Sequence, residues 1–109
     1  MIRNRGRHRV VFVTCGSVGE ARRIGKTVVE KKLAACANIL AGVESIYRWK
    51  GKIERAREVL IVIKTTAKQL EDLEREVKRL HSYDLPEFIV LPIVAGSNEY
   101  LSWIAENAT

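Results

Sequence analysis

The run of five consecutive aliphatic residues from Val59 to Ile63, inside the stretch from Glu58 to Thr66, most constrains what this chain can fold into. A continuous apolar run of this length indicates a β-strand that is covered on both of its faces. A chain of 109 residues can cover one sheet face with its own helices, but a second apolar face needs a partner. The run therefore predicts a central strand in a sheet that is completed by association between chains.

Three elements are predicted before this run. Val10 to Thr14 is apolar and β-branched, so it is predicted to be a buried strand that ends at the turn Cys15-Gly16-Ser17. Ser17 and Glu20 have the spacing of a capping box, which predicts a helix from Ser17 to about Ala34. A second strand is predicted from Cys36 to Tyr47, with a bulge at Gly42 and a hairpin connection at Trp49 to Lys52.

Three further elements are predicted after it. Leucine and valine recur at helical spacing between Ala67 and His81, which predicts the most amphipathic helix of the chain. Phe88 to Val94 is predicted to be a strand that lies at a sheet edge or contains a bulge, because Pro92 cannot donate a ladder hydrogen bond. After a turn at Gly96-Ser97-Asn98, a short helix is predicted from Glu99 to Glu106.

The predicted order is β-α-β-β-α-β followed by a C-terminal helix. Two split βαβ units joined by a hairpin give an α+β, ferredoxin-like domain, in which an antiparallel sheet carries its helices on one face. The other face of the sheet is then left bare, and the apolar second and third strands favour association with further copies of the chain.

The formal net charge of +6 is concentrated at the N-terminus. Four arginines lie within residues 1–9, and the remaining 15 basic residues against 13 acidic ones leave only +2. We therefore interpret residues 1–9 as a flexible basic arm and residues 10–109 as a single domain. Nucleic acid is not an expected partner, because no aromatic residue lies between the arginines to stack on bases.

No apolar run is long enough to cross a membrane, and the N-terminus lacks the apolar core and cleavage site of a signal peptide. We therefore expect a cytoplasmic protein without a membrane partner. Its two cysteines, Cys15 and Cys36, are not a disulfide framework. The chain also lacks a P-loop, GxSxG and HExxH, and its Cys15–Gly19 loop lacks the arginine that acylphosphatases of this fold class need. We expect neither catalysis nor an organic cofactor.

Six segments, in order and spacing, resemble those of one protein family. They are VTC (13–15), VEKKLAACANI (29–39), SIYRWKGKIE (45–54), EVLIVIKTT (58–66), HSYDLPEFI (81–89) and NEYLSWI (98–104). From about Val10 to its end, the chain resembles CutA-type divalent-cation-tolerance proteins.

The resemblance implies a ferredoxin-like domain in a compact homotrimer, in which strands of neighbouring subunits extend one another's sheets. It also implies a role in tolerance to divalent cations through binding of copper or another divalent transition metal. The alternative is a small-ligand sensor or signalling trimer resembling PII proteins, without catalytic activity, and only analogy of fold supports it.

Cys15, His81 and Glu87 are the predicted metal ligands. Thiolate, imidazole and carboxylate are ligand types for copper and zinc, and the resemblance implies Cys15 and His81 as metal-binding positions and Glu87 as a recurrent acidic position. Two departures from the family pattern, Gly16 and Ser82, are expected to loosen the turn at His81. Simpler roles stay open: Cys15 as a core residue, His81 as a helix cap, and Glu87 as an ion-pair partner.

Three other residues have a structural interpretation at this stage. Cys36 lies between alanines in an apolar strand and is expected to pack in the interior. Tyr47 and Trp49 flank the hairpin, where they are expected to seal contacts between subunits rather than to line a cleft.

Overall fold

The computed structural model describes residues 2–3 and 6–109, with residues 2 and 3 described by their backbone alone. The elements in chain order are β1 Ile2–Arg3, β2 His8–Cys15, α1 Val18–Glu30, β3 Cys36–Trp49, β4 Lys52–Thr66, a 3-10 turn Ala67–Gln69, α2 Leu70–Leu80, β5 Ile89–Pro92, β6 Gly96–Ser97 and α3 Asn98–Asn107. No helix in this part of the chain is long and apolar enough to span a membrane.

The main sheet has four antiparallel strands in the order β3-β4-β2-β5. With α1 after β2 and α2 after β4, this order confirms the predicted ferredoxin-like fold. β5 ends at Pro92 and lies at the edge of the sheet, which is one of the two alternatives that the proline predicts. β1 pairs separately with β6.

The core lies between the sheet and the two helices α1 and α2. Alternate residues of the two central strands are buried on this face: Val11, Val13 and Cys15 from β2, and Val59, Ile61 and Ile63 from β4. They pack against the apolar stripe of α1 and against Leu73 and Val77 of α2. The residues between them, Val10, Phe12, Leu60 and Val62, lie on the opposite face and are only half-buried. The predicted bare apolar face is therefore present in the single chain.

The hairpin formed by β3 and β4 is longer than predicted, because β4 begins at Lys52 rather than Glu58. Lys50 and Gly51 both have positive φ, 50° and 81°, as a two-residue type I′ turn requires. This turn pairs Trp49 with Lys52 and extends the ladder through a charged stretch that has no strand pattern of its own. The predicted bulge is confirmed at Gly42, where the register shifts between Leu40 and Val43 and φ is 82°.

Helix ends also differ from the predictions. α1 ends at Glu30 rather than about Ala34, because Lys32 adopts a φ of 59° that no α-helix can continue through. The second helix begins with a 3-10 turn at Ala67–Gln69, and α2 ends at Leu80 with His81 already in an extended conformation.

The first residues of β2 come from the segment that was interpreted as a flexible arm. β2 begins at His8 rather than Val10, and the His8 side chain is fully buried with Nε2 2.8 Å from the carbonyl oxygen of Leu101 in α3. His8 is therefore part of the packing between β2 and α3. Met1, Asn4 and Arg5 lie outside the described residues, and the division of the chain at residue 9 stays a prediction.

We expect Gly51→Ala to lower the free energy of unfolding by about 1 kcal/mol, because a Cβ strains a residue with φ of 81°. Gly19→Ala is the matched control: Gly19 is helical and has open space around it, so alanine should raise stability by about 0.5 kcal/mol. Urea unfolding at equal protein concentrations measures both changes. Equal effects of the two substitutions would contradict the assigned turn.

Candidate functional site

The candidate site lies where the central strand β2 ends. Cys15 follows Val11 and Val13 on the helix-facing side of the sheet, and its side chain is fully buried. Thr14 points to the opposite side, where its Oγ1 lies 3.5 Å from Oε1 of Glu87. Because successive side chains of a strand alternate between faces, Cys15 and Glu87 lie on opposite sides of the sheet.

His81 lies immediately after α2, and its side chain contacts the end of β2. Its Nε2 is 2.7 Å from the carbonyl oxygen of Thr14, and its Nδ1 is 3.1 Å from the backbone nitrogen of Tyr83. Nδ1 accepts the hydrogen bond of the Tyr83 backbone N–H, which leaves Nε2 to donate to the Thr14 carbonyl. Oε2 of Glu20 lies 3.6 Å from Nδ1. Both ring nitrogens therefore have partners within the chain.

The Cys15 thiol is held in its protonated form. Its pKa is raised from 9.0 to about 12, chiefly by burial and to a smaller extent by the nearby carboxylates of Glu20 and Glu58. A metal ion would therefore have to displace the thiol proton before the sulfur could coordinate it.

The three predicted ligands converge on Thr14 without forming a single coordination set. His81 binds the Thr14 backbone and Glu87 approaches the Thr14 side chain, while Cys15 faces the core. Among residues 2–3 and 6–109, no group of three or more His, Cys, Asp and Glu side chains is placed to hold a metal ion. As a set of three within one chain, these residues do not fit one ion, and metal binding at any of them stays a prediction.

The turn after His81 is held by hydrogen bonds rather than loosened. The backbone nitrogen and hydroxyl of Ser82 donate to the Glu20 carboxylate at 2.7 and 3.0 Å. A Cβ at residue 16 would lie 3.3 Å from the hydroxyl oxygen of Tyr83, so Gly16 lets the ring approach closely. The two departures from the family pattern, Ser82 and Gly16, therefore both take part in placing this turn.

Tyr83 connects the turn to the hairpin. Its hydroxyl donates to Oε2 of Glu58 at 2.9 Å, and its ring centroid is 4.7 Å from that of His81. Burial raises the Tyr83 pKa, and the hydrogen bond to Glu58 contributes in the same direction.

An open cleft of about 610 Å³ lies beside this turn. It is bounded by the end of β2, the hairpin and the turn before β5, and it is lined by acidic and aromatic side chains: Glu58, Asp84, Glu87, Tyr47, Trp49 and Tyr83. Tyr47 and Trp49 thus line a cleft within the single chain, and each is 42% exposed.

Several residues of this region were not predicted from the sequence. Glu20 was interpreted only as part of a helix cap, and Glu58 only as the start of a strand. The pairing of Cys15 with Val59 places Glu58 beside the end of β2. The sequence does not specify this register, which becomes known only when the two strands are seen paired. Cys36 is half-buried rather than enclosed, with Sγ 3.7 Å from the side-chain oxygen of Asn38.

Comparison with known proteins identifies relatives of the whole domain. Residues 9–107 match the protein family described as "CutA1 divalent ion tolerance protein". The "Divalent-cation tolerance protein CutA" of Thermus thermophilus is 47% identical over 98 residues, which are 90% of this chain and 95% of that protein. "Protein CutA, chloroplastic" of Arabidopsis thaliana is 44% identical over 92% of this chain, which spans 54% of its length.

Comparison with solved structures identifies the same kind of protein. A solved structure described as "Divalent cation tolerance protein (Cut A1)", also from Thermus thermophilus, superposes with a TM-score of 0.92 at 45% identity. The superposition covers 94% of this chain and 99% of that one. Sequence and fold therefore point to the same set of proteins.

We expect the Cys15 thiol to react with iodoacetamide far more slowly than an ordinary thiol in the folded protein. A rise in pKa from 9.0 to about 12 lowers the thiolate fraction near neutral pH by about 1,000-fold, and burial adds a steric barrier. Mass spectrometry of a Cys36→Ser variant follows Cys15 alone, and a Cys15→Ser variant follows Cys36 as the control. Similar rates for the two thiols would contradict the described packing.

Proposed function

The chain belongs to the CutA1 divalent ion tolerance family, and from this membership we propose that it is a homotrimer that binds divalent transition-metal ions, copper in particular, in tolerance to those ions. The proposal includes no catalytic activity, and its Thermus thermophilus relative is named for tolerance rather than for a reaction. We place the protein in the cytoplasm, although the Arabidopsis thaliana relative is named as chloroplastic. The comparisons do not favour the alternative of a PII-like sensor.

The apolar side chains exposed on the β3–β4 hairpin are the observation that carries the proposed assembly. Ile46 and Ile53 are 58% and 59% exposed, although isoleucine is among the residues most often buried in proteins. Beyond the bulge, among the residues that the structure describes, each strand of the hairpin pairs only with the other, and a two-stranded ribbon is marginally stable by itself. Packing against further copies would bury these side chains. That the number of copies is three rests on the family resemblance.

We place the metal ion at Cys15 and His81. Both side chains are fully enclosed at the end of β2, and thiolate and imidazole are both ligand types that copper takes in proteins. Copper would have to displace the thiol proton of Cys15 and one hydrogen-bond partner of His81. Glu87, the third predicted ligand, lies across the sheet from Cys15, so we assign it no part in holding this ion.

A carboxylate in the proposed interface should break the trimer. We expect Ile53→Glu to shift sedimentation from a species of about three chain masses to smaller ones, because a buried unpaired charge costs several kcal/mol. Lys26→Glu is the control, since it places the same carboxylate on the exposed surface of α1. A wild-type protein that stays a folded monomer at micromolar concentration would end the proposal of a trimer.

Copper titration tests the proposed ligands. We expect Cys15→Ala and His81→Ala each to weaken copper binding by at least about tenfold, with Cys36→Ala and Glu87→Gln close to wild type. Calorimetry in buffers of different ionisation enthalpy should report release of about one proton per ion in the wild type but not in Cys15→Ala. Unchanged stoichiometry and affinity in both the Cys15 and His81 variants would exclude this site.

A further inference from the structure

The Glu20 carboxylate is enclosed by the chain, although the proposed function gives it no part. Its side chain is only 10% exposed, and carboxylates are rarely buried to this extent without a partner. In residues 2–3 and 6–109, no lysine or arginine nitrogen lies within 4.0 Å of it, and the one basic side chain within that distance is that of His81. Because burying an unpaired charge costs free energy, such a carboxylate needs hydrogen bonds that compensate for the lost water.

Ser82 supplies those hydrogen bonds. Its backbone nitrogen donates to Oε2 at 2.7 Å and its hydroxyl to Oε1 at 3.0 Å, so each carboxylate oxygen accepts one bond. Glu20 is itself fixed, because it lies in the first turn of α1, where its backbone nitrogen donates to Oγ of the N-cap Ser17. The contact therefore joins the start of α1 to a residue 62 positions further along the chain, immediately after His81.

The position of Ser82 determines how the His81 ring is held. Ser82 lies between His81 and Tyr83, whose backbone nitrogen donates to Nδ1 at 3.1 Å. Nε2 then donates to the carbonyl oxygen of Thr14 at 2.7 Å. The Oε2 atom of Glu20 lies 3.6 Å from Nδ1, which is longer than a hydrogen bond. Glu20 therefore acts on the imidazole through the Ser82 backbone rather than by direct contact.

We propose that Glu20 is a positioning residue for His81: its two hydrogen bonds to Ser82 hold the imidazole against the end of β2, with the proton on Nε2 and with Nδ1 as the acceptor. For copper, this inference rests on the function proposed above, in which a metal ion at Cys15 and His81 would meet a ring whose orientation is already set. Residues that orient a metal-binding histidine in this way typically change metal affinity by about tenfold to a hundredfold. The orientation of the ring in the metal-free protein does not depend on that function.

Long-range proton–nitrogen NMR correlations of the metal-free protein show which imidazole nitrogen of His81 carries the proton. The chain has two histidines, and a His81→Ala variant identifies the signals of His81. In mildly alkaline buffer we expect the wild type to carry the proton on Nε2. Glu20→Met fills a similar space but accepts hydrogen bonds only weakly, so it should give a mixture of the two tautomers. Loss of stability alone would not move this signal.

Two further variants separate hydrogen bonding from charge. The side-chain oxygen of Glu20→Gln can accept from the Ser82 backbone nitrogen, and its amide can donate to the Ser82 hydroxyl, so we expect the wild-type tautomer. Ser82→Ala removes only the hydroxyl bond, at an exposed residue, and should give a smaller shift in the direction of Glu20→Met.

Copper titration of the same samples measures the effect on metal binding. We expect affinity to fall about tenfold in Glu20→Met and to stay close to wild type in Glu20→Gln. Glu30→Met is the control: it removes an exposed carboxylate from the same helix and should change neither the tautomer nor the affinity. Circular dichroism and sedimentation check that each variant folds and assembles like the wild type.

An unchanged tautomer in both Glu20→Met and Ser82→Ala would overturn the proposal. A mixture of tautomers in Glu20→Gln would also overturn it, because the charge of Glu20 would then act on the ring directly. Equal copper affinity in the wild type and in Glu20→Met would remove the effect on metal binding. Failure of the wild type to bind copper would instead end the proposed function, while the NMR comparison still decides whether Glu20 positions His81.

Discussion

The pleat of β2 is the constraint on which the arrangement of the site depends. β2 pairs with β4 on one side and with β5 on the other, so its register cannot slip without breaking two ladders. The alternation of its side chains then places Cys15 in the core and Thr14 on the open face. His81 and Glu87 both reach Thr14, but one binds its backbone and the other approaches its side chain. Residues that look like one ligand set in the sequence therefore lie around two separate faces.

The two faces provide different chemical environments. Near Cys15 and His81 the side chains are enclosed, and burial keeps the thiol protonated. On the other face, carboxylates and aromatic rings border an open cleft. Tyr83 lies between these environments, with its ring beside His81 and its hydroxyl on Glu58.

Most of the fold could be predicted from the sequence because it depends on local patterns. A capping box predicts the first long helix, apolar periodicity predicts the second, and a continuous apolar run predicts the central strand. Pro92 predicts an edge or a bulge, and Gly42 predicts a bulge. The errors lie where tertiary pairing overrides local preference. Lys52 to Arg57 has no strand pattern, yet the turn at Lys50 and Gly51 pairs this stretch with β3. His8 belongs to β2 because α3 covers it, a contact 93 residues away along the chain.

The sequence by itself determined the order of the four strands of the main sheet and of the three helices, the apolar faces of that sheet and the family, because each of these depends on residue types at short or fixed spacing. Only the tertiary structure decided which side chains meet. The register of β2 against β4 puts Glu58 beside the end of β2, and the turn after α2 puts Tyr83 over Gly16. Such contacts join residues distant along the chain, and their geometry follows from sheet pairing and packing, which no local pattern specifies.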